Sequence, residues 1–123
     1  KIVQAHQKHP YAAIGGAVEN GNDPRSQVAW AGYMAEFREY LPQYKARLVP
    51  HIPTCNISYK RAAFTKIKAF NPRYYPQEDL EFNFRLRQEG LQIYFDPQIR
   101  IFHHHRTNLK AFFIHQKRVG TIT

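Results

Sequence analysis

Residues 74–90, Tyr74-Tyr75-Pro76-Gln77-Glu78-Asp79-Leu80-Glu81-Phe82-Asn83-Phe84-Arg85-Leu86-Arg87-Gln88-Glu89-Gly90, constrain this chain more than any other stretch. Pro76 stands just outside a helix whose first turn is filled by the carboxylates Glu78, Asp79 and Glu81. Leu80 and Phe84 share one side at i, i+4 spacing, and Phe82 and Leu86 widen the apolar stripe on a neighbouring side. Arg85 and Arg87 come late, where cations suit the helix dipole, and Gly90 is placed as a left-handed stop. The result is an amphipathic helix that carries two adjacent acids at its start.

The flanking chain alternates helical and extended patterns. Lys1 to His9 has helical character, and Pro10 ends it. Ala12 to Val18 is an apolar run of strand length, in which Gly15-Gly16 implies close backbone approach or a sharp bend. That pair does not make a phosphate loop, because the Lys-Ser/Thr tail of a P-loop and the third glycine of a dinucleotide fingerprint are both missing. Glu19 to Pro24 is a turn cluster, and Ser26 to Leu41 is helical with a wide, imperfect apolar face. Lys45 to Pro53, broken by Pro50 and Pro53, is an irregular strand or loop. Thr54 to Tyr59 reads as a strand and Lys60 to Lys66 as a short helix. Leu91 to Phe95 is a strand by alternation, Asp96-Pro97-Gln98 turns the chain, and Ile99 to His103 is the next strand. Thr107 is expected to cap a final helix from Asn108 to about Val119. Together these elements describe an α/β fold, a short mixed sheet flanked by helices, with too few strands for a complete doubly wound domain.

At 123 residues the chain is one domain, and 43% hydrophobic residues suit a globular core. Lys and Arg outnumber Asp and Glu by 18 to 9, which fits an anionic partner such as a nucleotide, a phosphorylated substrate, nucleic acid or a lipid surface. The aromatic residues do not interleave with Lys and Arg in an RNA-binding signature, so a nucleic-acid module is the weaker alternative. The single cysteine, Cys55, excludes an internal disulfide and fits a reducing compartment. No apolar run approaches the roughly 20 residues of a membrane span. The chain starts at Lys1 without an initiator Met and reads as a piece of something longer.

Three groups of residues can carry chemistry. Glu78 and Asp79 diverge by about 100° in a helix, so only one points into a given site. A partly buried carboxylate there can take a proton from a hydroxyl, although ordinary charging of a helix N-terminus explains both acids without any chemistry. His103 and His105 fall on one side of a strand, and imidazole ligates Mn²⁺ or Zn²⁺ when other groups complete the shell. Their spacing is not that of a zinc finger, and a metal-binding or purely structural His cluster is a further alternative. Arg106, next to them, can pair with phosphate oxygens. Lys110, Lys117 and Arg118 lie on the last helix.

Taken in order, Cys55-Asn56-Ile57-Ser58-Tyr59-Lys60-Arg61, Ala69-Phe70-Asn71, Glu78-Asp79-Leu80-Glu81, Arg85-Leu86-Arg87-Gln88-Glu89-Gly90 and His103-His104-His105-Arg106 resemble the second half of a family 2 glycosyltransferase domain with the GT-A fold. The resemblance runs from about Ala12 to Gly120 and implies a partial, Rossmann-like GT-A domain. It implies inverting transfer of a sugar from a nucleotide-diphospho-sugar to a glycan or lipid-linked acceptor, as in cell-envelope glycan synthesis. Asp79 is then the general base, with Glu78 supporting the site. Asn56 and Tyr75 fall on the acceptor side, Arg106 and Arg118 near the donor diphosphate, and His103 at a divalent metal, Mn²⁺ or Mg²⁺. Gln116-Lys117-Arg118-Val119 is similar to the Gln-x-x-Arg-Trp motif of processive synthases. Val119 replaces the Trp, which favours single-sugar addition. The chain has no Asp-x-Asp, so the donor-side metal ligands of such enzymes are absent. The resemblance therefore implies an acceptor-side half, inactive alone, with exposed apolar surface and a tendency to self-associate. It also implies a cytoplasmic location, at the inner face of a membrane.

Overall fold

Two glycines decide how tightly the centre of the sheet can close. A Cβ on Gly16 would stand 1.9 Å from the Ile99 carbonyl oxygen, and one on Gly15 would stand 2.3 Å from that of Asn56. The strand that carries them, β1 (Ala13–Asn20), therefore lies at the middle of a four-stranded mixed sheet. The computed structural model describes residues 1–122. Besides β1 the sheet contains β2 (Arg47–Val49), β3 (Ile57–Tyr59) and β4 (Ile93–His103), in the order β2-β4-β1-β3. β1 and β4 run parallel, while β3 and β2 pair antiparallel with β1 and β4. Helices α1 (Ile2–Lys8), α2 (Gln27–Phe37), α3 (Arg61–Ile67), α4 (Glu78–Gln88) and α5 (Leu109–Ile122) flank it. This is the α/β arrangement expected, a mixed sheet flanked by helices.

The local sequence rules act as expected at several ends. The Ser26 hydroxyl accepts the Ala29 N–H at 3.3 Å and starts α2. Gly90, at φ +72°, ends α4 in a Schellman motif. The Leu91 N–H donates to the Leu86 carbonyl and the Gly90 N–H to that of Arg87. Close approach at Gly15-Gly16 has a visible cause. Gly16 pairs with Asp96 but Ala17 with Arg100, so residues 97–99 bulge out of β4.

Four expectations are corrected. Asp96-Pro97-Gln98 does not separate two strands; it is the bulge inside one long β4, held in the ladder by β1 on both sides. Thr54–Asn56 is a short 3-10 turn, and the strand begins at Ile57. Asn108, not Thr107, caps α5, its side-chain oxygen accepting the Ala111 N–H at 3.2 Å. The stripe of α4 is narrower than its sequence suggests. Phe82, Asn83 and Leu86 are fully buried, whereas Leu80 and Phe84 are exposed and face a groove of about 660 Å³ shared with Tyr74 and Ile122.

The core that α4 joins is aromatic. Phe82 lies 4.3 Å from Phe70, 5.0 Å from Tyr59 and 5.1 Å from Phe64, ring centre to ring centre. Arg85 ties this layer down. It pairs with Glu81 at 2.6 Å, donates to the carbonyls of Ile67 and Ala69, and lies over the Phe82 ring. Packing thus fixes the start of α4, with Asp79, against the end of the sheet. Among the described residues no helix is long and apolar enough to cross a membrane. α5 buries no residue fully, and Leu109, Phe113 and Ile114 on it are exposed.

Candidate active site

The first turn of α4, the C-terminal end of α2, the end of β4 and one side of α5 enclose a cleft of about 460 Å³. Asp79 lines it and Glu78 does not. The Asp79 carboxylate is held by backbone. The Thr54 N–H donates to Oδ2 at 3.0 Å, and the Leu80 N–H donates to Oδ1 at 2.8 Å. The Thr54 hydroxyl stands 3.4 Å from Oδ2. These donors leave other lone pairs of the carboxylate free toward the cleft. Glu78 Oε2 is buried with no hydrogen-bond partner among the described residues.

His51 stands on the same wall and lines the cleft. Its Nδ1 is 2.7 Å from the Asn83 amide nitrogen. Asn83, one turn after Asp79, also donates to the Ile52 carbonyl at 3.0 Å and accepts the Tyr59 hydroxyl at 2.8 Å. Burial lowers the His51 pKa, and the charges of Asp79 and Glu39 oppose that shift.

A histidine at the end of β4 adds to the lining. His103 lines the cleft, with its ring 4.9 Å from Phe37 and 4.5 Å from His105. The two rings share one side, as strand alternation predicts, while His104 lies beside Gly21. His103 Nδ1 and His105 Nε2 are both buried without a partner among the described residues. Burial lowers both pKa values. His105 falls to about 4, helped by the charges of His103, Arg106 and His104. α5 closes the remaining side. His115 pairs with Glu36 of α2 at 3.0 Å, and the Gln116 amide donates to the same oxygen at 3.3 Å.

The other residues singled out in the sequence fall elsewhere. Asn56 does not line the cleft. Its amide nitrogen donates to the carbonyls of Ala17, at 2.9 Å, and Ile99, at 3.2 Å, and so locks the β4 bulge to β1. In place of the expected acceptor contact, Asn56 makes a buried tie between strands. Tyr75 and Arg118 are brought together, the guanidinium carbon 4.8 Å from the ring centre. Each is next in sequence to a cleft residue, Pro76 and Val119. Arg106 is exposed. Among the described residues no group of three or more His, Cys, Asp or Glu side chains is arranged to hold a metal ion. The unpartnered His103 Nδ1 can offer one ligand, and an ion there would need its other ligands from outside this cluster.

His51, Thr54, Asn83 and the Glu36–His115 pair carry much of this site, yet sequence reasoning did not single them out. One signal was present: Asn83 interrupts the apolar face of α4 between Phe82 and Leu86. No family model, no curated protein and no solved structure matches this chain.

Proposed function

We propose that this chain is the acceptor-side half of an inverting, family 2 glycosyltransferase with a GT-A fold, using a nucleotide-diphospho-sugar as donor. The observation that carries the reading is the placement of Asp79. It is the one acid of the Glu78-Asp79 pair in the cleft, its orientation is set by backbone donors, and His103 lies on the cleft lining with it. In this reading an acceptor hydroxyl lies against Asp79. The carboxylate takes its proton as the hydroxyl oxygen attacks the anomeric carbon. The bond from that carbon to the diphosphate oxygen breaks, and the electron pair leaves with the nucleotide. Attack opposite the leaving group inverts the anomeric centre. The role fits a group held in place before the substrate arrives.

Arg118 lies 4.8 Å over the Tyr75 ring, and in this reading Tyr75 meets the acceptor while Arg118 pairs with the departing diphosphate. His103 would give one ligand to a divalent ion, Mn²⁺ or Mg²⁺. The exposed Leu109, Phe113 and Ile114, flanked by Lys110 and Lys117, suit an anionic membrane surface and hence a lipid-linked acceptor at its inner face.

The test is nucleotide release from UDP-, GDP- and dTDP-sugars with Mn²⁺ or Mg²⁺, for this chain alone and for the longest polypeptide that carries it. The expected result is turnover by the longer polypeptide. Asp79→Asn should reduce it by roughly 100- to 10,000-fold with the fold intact. Full turnover by Asp79→Asn would overturn the assignment of the base.

A further inference from the structure

The buried amide of Asn83 fixes which nitrogen of His51 carries a proton. Asn83 is fully buried, and its side-chain nitrogen donates to the Ile52 carbonyl at 3.0 Å. A carbonyl only accepts, so the amide cannot be turned the other way. Its oxygen correspondingly receives the Tyr59 hydroxyl at 2.8 Å. The second N–H of the same NH₂ group points at His51 Nδ1, 2.7 Å away. An amide NH₂ has no lone pair to offer, so Nδ1 must be the acceptor and carry no proton. The neutral ring then holds its proton on Nε2. Protonating Nδ1 would set two N–H groups against each other. That opposes the positive ring even though Asp79 of α4 and Glu39, just after α2, favour it electrostatically.

The ring lines the cleft that Asp79 also lines and borders two adjoining grooves, and among the described residues its ring hydrogen bond is at Nδ1, not Nε2. The wall therefore offers two complementary groups: a carboxylate that only accepts and an imidazole N–H that only donates. A sugar hydroxyl satisfies both kinds of group, giving its hydrogen to one and its lone pair to the other. We infer that His51 is a hydroxyl-binding residue, presenting a fixed Nε2–H donor to a sugar in the Asp79 cleft. Identifying the ligand as a sugar rests on the glycosyl-transfer reading above. His51 holds the substrate and takes no proton from it; Asp79 does that.

Two substitutions separate the donor from its support. His51→Asn puts a side-chain oxygen near the place of Nδ1, so Asn83 keeps its acceptor, but the donor to the cleft is lost. His51→Gln reaches the place of Nε2 with an amide N–H and gives up the Asn83 contact. The experiment has three parts: ¹⁵N spectra of the His51 ring, titration with the methyl glycosides of glucose, galactose and mannose, and sugar-nucleotide turnover beside Asp79→Asn. Above about pH 6.5, the ordinary value below which burial lowers this ring, it should be neutral with its proton on Nε2. At least one glycoside should shift the Nε2 resonance. His51→Asn should weaken that glycoside roughly tenfold at unchanged melting temperature, and His51→Gln should bind more tightly than His51→Asn despite a lower one. A proton on Nδ1, a ring that no glycoside moves, or wild-type affinity in His51→Asn would each overturn the inference. Turnover that depends on Asp79 but not on His51 removes this inference alone. A wild-type protein that turns over no donor removes the transfer reading, and the spectra and titration still decide what His51 does.

Discussion

Asp79 and His103 line the same cleft but are held in opposite ways. On the Asp79 side short hydrogen bonds hold the side chains in place: Thr54 to Asp79, Asn83 to Ile52 and His51, Tyr59 to Asn83. On the His103 side, His103 Nδ1 and His105 Nε2 are buried with no partner among the described residues. A satisfied polar network rigidifies, whereas an unpartnered buried nitrogen carries a desolvation cost that only a ligand or a further group can relieve. The difference teaches that this chain orders the groups around Asp79 by hydrogen bonds, and those around His103 by ring contacts with Phe37 and His105.

The comparison breaks most visibly at Asn83. Asn83→Leu keeps the branching at Cγ but orphans the Ile52 carbonyl, the Tyr59 hydroxyl and His51 Nδ1. Urea unfolding should show a loss of about 4 kcal/mol, from three partners at ~1–3 kcal/mol each. A loss below about 1 kcal/mol would mean that the network is not what stiffens this wall.

Acid reads the other wall. The His105 pKa in the fold is about 4, below the ordinary 6.5, because burial penalises the charged ring. Between those values the unfolded chain takes up a proton that the folded ring does not. The contribution to stability is therefore complete above about pH 6.5 and falls with pH down to about 4. His103 and His51, also lowered, add to the same slope. His105→Phe should flatten the slope by about one proton in a pH series of unfolding curves. An unchanged slope would mean that His105 is not held neutral.

The smallest effect sharpens the contrast by its sign. His103→Phe keeps ring contacts with Phe37 and His105 and removes the orphaned Nδ1. Its stability should change by less than about 1 kcal/mol, or rise. A loss above about 2 kcal/mol would show that His103 is as firmly partnered as Asp79 and that the two walls are alike.

Much of the fold was legible because it rests on near-neighbour physics. Acids in the first turn of α4, the Gly90 stop, the Ser26 cap and the α/β alternation depend on residues a few positions apart. So does the shared side of His103 and His105. The bulge in β4 was not legible: Asp96-Pro97-Gln98 carries turn residues, and only pairing with β1 keeps it inside a strand. Leu80 and Phe84 have core spacing on paper, yet no element packs over them enough to bury them. Asn56 looked available for a ligand until its neighbours placed the Ala17 and Ile99 carbonyls against it. By itself the sequence determined that an acid pair opens a helix and that histidines follow a strand. Tertiary structure alone decided that Asp79 faces a cleft with His51 and His103, that Glu78 does not, and that Asn83 fixes the His51 proton. The reason is physical: periodicity sets the side of an element on which a group lies. Whether that side meets a backbone carbonyl, another ring or open space depends on segments far apart in the chain.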